Sequence, residues 1–152
     1  MILQILIIAT LGFMIYAAIE DYKSYSFQTF FAKALVVLWQ PYLIYQAVNN
    51  ERIIRYLIVM TALILLCLTQ KVLSKRLWGS GDDKLLILAV SMILGLFEPS
   101  MDILIFMISC YLLVTMLSAL LIDHGRYFIQ KTKGIALAPG FLVAAMFLIV
   151  LY

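Results

Sequence analysis

Two aspartates are the side chains of this sequence best suited to chemistry. Asp82 lies in the stretch GSGDDK at residues 79–84, and Asp21 lies in EDYKSY at residues 20–25. Each stretch borders a long apolar run, where an ionisable group is costly and tends to mark function. Two carboxylates that are held close together share a proton, because both cannot ionise comfortably. The ionised member can then activate water for attack on a peptide carbonyl, while the protonated member polarises that carbonyl and later protonates the leaving amine.

The residues around Asp82 suit such a site. Gly79 and Gly81 allow backbone angles and a close approach that a Cβ would block. Irregular backbone at membrane depth is tolerated only where protein or a wet cavity covers it. Lys84 either stabilises the charge of the acid pair or reaches to the membrane surface. A Gly-x-Gly-Asp turn therefore predicts room for an extended substrate beside the acid.

The composition predicts that these residues belong to a membrane protein. Of 152 residues, 66% are hydrophobic and only 12% are charged, whereas soluble domains carry about a quarter charged residues. We expect an all-α fold with a single membrane-embedded domain over residues 1–152.

Few metal or nucleic-acid signals are present. Cys67 and Cys110 form no CxxC pair, and His124 has no second ligand nearby, so we expect no metal and no cofactor. The net charge of +3 fits basic loops on the cytoplasmic side, and no basic run is interleaved with aromatic residues. Nucleic acid is therefore not an expected partner.

Six apolar segments predict about six transmembrane helices, since a span needs about 20 apolar residues. The segments are Ile2 to Ile19, Thr29 to Val48, Ile53 to Leu73, Leu85 to Phe97, Ile103 to Ile122 and Ile135 to Tyr152. The fourth is short unless Asp83 and Lys84 lie in its first turn.

The basic residues predict the orientation, because cytoplasmic loops are enriched in Lys and Arg. With both termini outside, only Arg52 and Arg55 of the eleven basic residues lie on the outer side. The inner side then holds Lys23, Lys33, Lys71, Lys75, Arg76, Lys84, Arg126, Lys131 and Lys133. This N-out/C-out topology brings Asp21, at the end of the first helix, and Asp82, at the start of the fourth, to the cytoplasmic face. Because helix N-termini favour anions and C-termini disfavour them, Asp82 is expected to be the more acidic of the pair.

These features resemble the type IV prepilin peptidases, which are GxGD aspartic proteases of prokaryotic inner membranes. GSGDDKL at residues 79–85 is similar to the Gly-x-Gly-Asp-x-Lys pattern of that family. Asp21 followed by Lys23 is similar to its first aspartate, and Pro139 and Leu142 are similar to its last-helix Pro-x-x-Leu segment. The chain departs from the family where Ile-Pro-Asn is often found, since it has SFQ at residues 26–28.

The resemblance implies a protease that cuts the short basic leader from prepilin-like membrane proteins, using Asp21 and Asp82. The chain begins directly with the peptidase core and lacks the paired cysteines of the bifunctional members, so cleavage without N-methylation is expected. Glu20, Asp83 and Asp123 could meet the basic residues of the leader, if the predicted location of these acids is correct.

A second function remains open. A small non-catalytic transporter or channel subunit could use the acids as a proton relay. That alternative expects acids near the middle of the membrane, whereas the mid-span positions here are nearly all aliphatic, and it leaves Gly79 and Gly81 unexplained. The sequence does not predict the oligomeric state or the natural substrate.

Overall fold

The structure, a computed structural model, describes residues 1–24, 27–72, 81–97, 100–130 and 136–152. All regular elements in these residues are α-helices, which confirms the predicted fold class for this part of the chain. They are α1 (Ile2–Ser24), α2 (Phe30–Asn49), α3 (Ile53–Val72), α4 (Asp82–Phe97), α5 (Met101–Gln130) and α6 (Ala138–Leu151). Each helix lies over one of the predicted apolar segments.

The helices differ from the predicted bounds at the end of α1, the starts of α4 and α6 and, most of all, the end of α5. α5 continues to Gln130, eight residues beyond the expected end at Ile122, so Asp123 lies inside a helix and not in a loop. The polar stretch after Ile122 contains no proline and only one glycine before Gln130, so nothing in it stops a helix. Hydropathy predicts where a chain leaves an apolar environment. It does not predict where a helix ends, because a helix can continue into a polar environment.

Small residues bring α6 close to its neighbours. α5 with α6, and α1 with α6, form the most extensive contacts between helices, followed by α2 with α4. A Cβ on Gly140 would collide with the backbone carbonyl oxygen of Thr115 in α5. Next to this crossing, the buried hydroxyl of Tyr111 donates a hydrogen bond of 2.8 Å to the carbonyl oxygen of Phe141. α6 is therefore fixed to α5 by both shape and a hydrogen bond.

A buried polar link joins α1 to α2. The indole Nε1–H of Trp39 donates to the Thr10 hydroxyl oxygen at 2.9 Å, and that hydroxyl donates to the carbonyl oxygen of Leu6 at 2.7 Å. Both Trp39 and Thr10 are fully buried. A Cβ on Gly95 would lie 2.7 Å from Cζ3 of Trp39, so the glycine lets α4 approach the same indole ring.

The exterior of the bundle is rich in large apolar side chains. Two helices, Ile2–Ser24 and Met101–Ile122, are long and apolar enough to cross a membrane. The shorter apolar helices are Ile53–Leu66 and Ala138–Leu151. Exposed side chains include Ile8, Phe30, Val37, Phe106 and Val150. Apolar exposure on this scale is unusual for a soluble monomer and is typical of a surface that another phase or partner covers.

Candidate active site

Asp21 lies on the buried face of α1. Phe13, Ala17 and Asp21 follow one another at intervals of four residues, which places them on one side of a helix, and all three are buried. Asp21 is only 7% exposed. A carboxylate in such surroundings requires hydrogen-bond partners, because an isolated buried charge is very costly.

One partner of Asp21 comes from the start of α6. The backbone N–H of Ala138 donates to Asp21 Oδ2 at 3.0 Å, across 117 residues of sequence. The N-cap of α6 is Leu137, which makes no side-chain capping bond, and Pro139 has no N–H to donate. Asp21 therefore supplies from another helix the acceptor that an N-cap side chain usually provides.

Asp82 is the first residue of α4 and is 8% exposed. The carbonyl oxygen of Gly81 accepts the N–H groups of Lys84 (3.0 Å) and Leu85 (3.2 Å), so Gly81 is the N-cap of the helix. The predicted placement of Asp82 at a helix start is thus observed, together with Asp83 in the same first turn. The N–H groups and the dipole of this helix end favour a negative charge.

An aromatic contact connects the start of α4 with α1. A Cβ on Gly81 would lie 2.6 Å from Cζ of Phe27, so the glycine admits the Phe27 ring against the turn. Phe27 packs edge-on against Phe13, with 6.0 Å between the ring centroids. Phe13 in turn lies two helical turns before Asp21 on the same buried face. Asp21 and Asp82 therefore lie at the same end of the bundle.

The other end of the bundle is defined by independent contacts. A Cβ on Gly95, near the end of α4, would lie 3.4 Å from the Leu3 side chain at the start of α1. The rings of Phe97 and Tyr152 are 5.6 Å apart, so α6 also ends there. α1 and α4 thus run in opposite directions, as required for the end of one and the start of the other to meet.

The structure changes the electrostatic argument about the pair. The sequence placed Asp21 only at the C-terminal end of its own helix, where an anion is disfavoured. In the fold, its carboxylate also faces the N-terminal end of α6 through the Ala138 N–H. Each aspartate is therefore next to a helix N-terminus, α6 for Asp21 and α4 for Asp82. Asp21 is thus next to one helix end that disfavours its charge and one that favours it, which narrows the expected difference in acidity from Asp82.

The remaining predicted site residues are more exposed than the pair. Lys23 lies exposed in the last turn of α1, and Glu20, Asp83 and Lys84 are half-buried next to the two aspartates in sequence. Asp123 is in the last part of α5, for which the structure describes only the backbone. Gly79 lies outside the described residues. In the part of the chain that is described, no group of three His, Cys, Asp or Glu side chains is placed to hold a metal ion.

Two residues of this site were not predicted from the sequence. Phe27 contacts Gly81, and Ala138 contributes its backbone N–H to Asp21. Pro139 was a partial signal for a helix start at Ala138, because proline is common in the first turn of a helix, where its missing N–H is not needed. Nothing in the sequence connects either residue to a particular aspartate.

Comparisons of the chain with protein-family models, with curated proteins and with solved structures gave no match.

Proposed function

We propose that this chain is a membrane aspartic endopeptidase of the type IV prepilin peptidase kind. It removes the short basic leader of prepilin-like membrane proteins, with Asp21 and Asp82 as the catalytic residues. In this proposal the six helices cross the inner membrane of a prokaryote, both chain ends face outward, and the two aspartates lie at the cytoplasmic face.

The observation that carries the proposal is the pair of buried aspartates at one end of the bundle. In the described residues, Asp21 and Asp82 are the charged side chains that are buried, and the other buried polar side chains are Thr10, Ser91 and Thr115. Buried carboxylates inside a membrane protein are costly and tend to mark functional sites. The apolar exterior and the two long apolar helices support the membrane location.

The proposed mechanism uses both carboxylates. One ionised aspartate takes a proton from water as the water oxygen attacks the scissile carbonyl carbon, and the protonated aspartate donates a hydrogen bond to the carbonyl oxygen. The tetrahedral intermediate then breaks its C–N bond as the aspartate that took the proton from water passes that proton to the amine nitrogen, and the pair returns to sharing one proton. The N-termini of α4 and α6 stabilise the single negative charge that the pair carries when it shares one proton.

Substrate recognition would involve the cytoplasmic end of the bundle. A prepilin-like substrate is a membrane helix with a basic leader at one end, so the leader emerges at the depth of the pair. Glu20, Asp83 and Asp123 are the acids proposed to meet its basic residues. Of these, Glu20 and Asp83 are half-buried and directly adjacent in sequence to the catalytic residues.

The proton-relay alternative requires acids along the middle of the membrane. In the described residues the buried acids are both at one end, and the buried polar side chains between the two ends are hydroxyl groups bonded to their own helix. This arrangement favours the peptidase.

The test is a gel-shift cleavage assay in detergent with a panel of prepilin-like substrates that carry basic leaders. Wild-type protein is expected to shorten a substrate, and Asp21→Asn and Asp82→Asn to leave it intact. Asp102→Asn is the matched control, because it makes the same change at an exposed aspartate in the first turn of another helix. Equal cleavage by all four proteins would refute the proposal, and proton flux without cleavage would support the relay.

A further inference from the structure

A cleft with two arginines lies at the end of the bundle opposite Asp21 and Asp82. It is formed where α2 ends and α3 begins, with Leu94 of α4 on one side, and its enclosed space is about 40 Å³. Arg52 and Arg55 line its mouth together with Asn50. The exposed Glu51 lies beside them, so this turn carries a single net positive charge.

The turn that presents the arginines has a defined shape. The N–H of Arg52 donates to the carbonyl oxygen of Ala47 at 2.7 Å, and the N–H of Asn50 donates to that of Gln46 at 3.0 Å. Glu51 takes a left-handed backbone conformation, with φ of 55°, which few residues other than glycine adopt. These bonds hold the first turn of α3 against the last turn of α2, so that Arg52 and Arg55 line the same cleft.

The side wall of the cleft is also fixed by hydrogen bonds. Gln46 Nε2 donates to the Tyr42 hydroxyl at 2.9 Å, and the Tyr56 hydroxyl donates to Gln40 Oε1 at 2.5 Å. The second bond connects α3 to α2 on the flank of the cleft. A binding site whose walls are arranged in advance loses less conformational entropy when a ligand enters.

The floor of the cleft is apolar. Leu43 and Ala47 are buried below the arginines, and Leu94 adds a third aliphatic side chain. A lining with both charged and aliphatic side chains matches a ligand that has a charged head and an apolar continuation. Guanidinium groups bind phosphate oxygens through paired N–H donors, and basic pockets between membrane helices bind anionic headgroups.

We propose that this cleft binds a phosphate group, and that its source is the phosphodiester of an anionic phospholipid. The apolar floor favours a lipid over free phosphate, because a soluble anion gives Leu43 and Leu94 nothing to contact. The proposal concerns the end of the bundle away from the aspartates, and it does not depend on peptidase activity.

Native mass spectrometry of the full chain in a maltoside detergent tests the proposal. The probes are phosphatidylglycerol and diacylglycerol with the same acyl chains, which differ in the phosphate-containing headgroup. Phosphatidylglycerol is expected to bind at least about tenfold more tightly, as expected for charge-assisted hydrogen bonds to a phosphate. Equal binding of the two lipids would overturn the proposal.

Variants locate the binding. Arg55→Gln is expected to weaken phosphatidylglycerol binding by about tenfold, and the Arg52→Gln/Arg55→Gln double variant further. Lys33→Gln is the matched control, because it removes one positive charge from the first turn of α2 at the other end of the bundle. An equal loss in Lys33→Gln and Arg55→Gln would indicate diffuse charge attraction and reject the site.

Leu94→Phe gives a second route to the same answer if an arginine variant fails to fold. This substitution fills the floor while both arginines remain, and it is expected to weaken phosphatidylglycerol binding. Unchanged binding in a folded Leu94→Phe protein would place the lipid elsewhere.

Competition then identifies the source of the phosphate. Displacement by short-chain phosphatidylglycerol, but not by millimolar inorganic phosphate, supports the lipid. Displacement by inorganic phosphate supports the phosphate site but rejects a lipid as its required source.

Discussion

Asp21 has two tasks that are usually divided between residues. Its carboxylate is a proposed catalytic group, and its Oδ2 atom also accepts the N–H that α6 leaves unsatisfied at its start. The sequence predicted the depth of Asp21 from the apolar run before it. The capping contact could not be predicted, because it joins residues 117 positions apart and depends on how α1 packs on α6.

The two tasks can be separated by substitution. Asp21→Asn keeps an oxygen acceptor at the same place, so it is expected to abolish cleavage while leaving thermal stability nearly unchanged. Asp21→Leu removes the acceptor as well and is expected to lower the free energy of unfolding by about 1–2 kcal/mol more, as lost caps do. Thermal unfolding in a mild detergent measures both variants. Equal stability of the two variants would show that the hydrogen bond from the Ala138 N–H to Asp21 contributes little to the free energy of unfolding.

Gly81 is expected to be intolerant of a side chain because of one ring. Gly81→Ala places a Cβ against Phe27, and the expected cost is about 1–3 kcal/mol with reduced cleavage, as for other overpacked sites. Gly12→Ala is the control, since a Cβ there has no heavy atom within 4 Å. The Gly81→Ala/Phe27→Leu double variant should lose less than the sum of the two single variants. If the stability losses of the two single variants add up to that of the double variant, the contact between Gly81 and Phe27 is contradicted.

At the scale of helices, apolar runs were sufficient to predict where each element lies. α3 begins at Ile53 as predicted, and α4 begins three residues before the predicted segment at Leu85, with Asp82 and Asp83 in its first turn. The end of α5 and the start of α6 differed. Helix ends depend on caps and breakers, and α6 begins only at Ala138, where a cap from another helix is present.

The contacts between helices could not be predicted from the sequence, even for large or polar residues such as Trp39 and Thr10. Trp39 and Thr10 are 29 residues apart and lie on helices whose relative rotation no periodic pattern defined. Both helices are apolar on several faces, so amphipathicity does not specify which face is buried. The hydrogen bond between Trp39 and Thr10 therefore depends on how α1 and α2 pack, which the sequence alone does not define.

Thr10→Val tests the contribution of that bond to the packing of α1 on α2. It leaves the buried Trp39 N–H without its acceptor and is expected to cost about 1–3 kcal/mol. Thr115→Val is the matched control, because Thr115 is equally buried and its hydroxyl donates within its own helix to Tyr111. The control is expected to cost less in the same unfolding assay. A larger loss for Thr115→Val would contradict the assignment.

For the whole molecule, the direction of insertion is the property that the sequence predicts and the fold alone does not. The uneven distribution of Lys and Arg predicts N-out/C-out, with nine of the eleven basic residues inside. The arrangement of the helices is compatible with this direction and with its inverse, because a bundle has the same internal contacts either way.

Thiol labelling of intact cells determines the direction. In a Cys67→Ser/Cys110→Ser background, a membrane-impermeant maleimide should react with Asn49→Cys from outside. Ser24→Cys should react only after the membrane is opened. Both positions are exposed and lie at opposite ends of the bundle. The reverse pattern would put the aspartates on the outer face and would remove the basis for a cytoplasmic leader as substrate.

The bond between Asp21 and Ala138 has a consequence for synthesis. A ribosome releases Asp21 more than a hundred residues before Ala138, so α1 is made long before its partner exists. During that interval the carboxylate has no α6 to cap, and the proposed active site is incomplete. Under the proposed function, the nascent chain gains peptidase activity only after its last helix is made, so an incomplete chain cannot cleave neighbouring proteins.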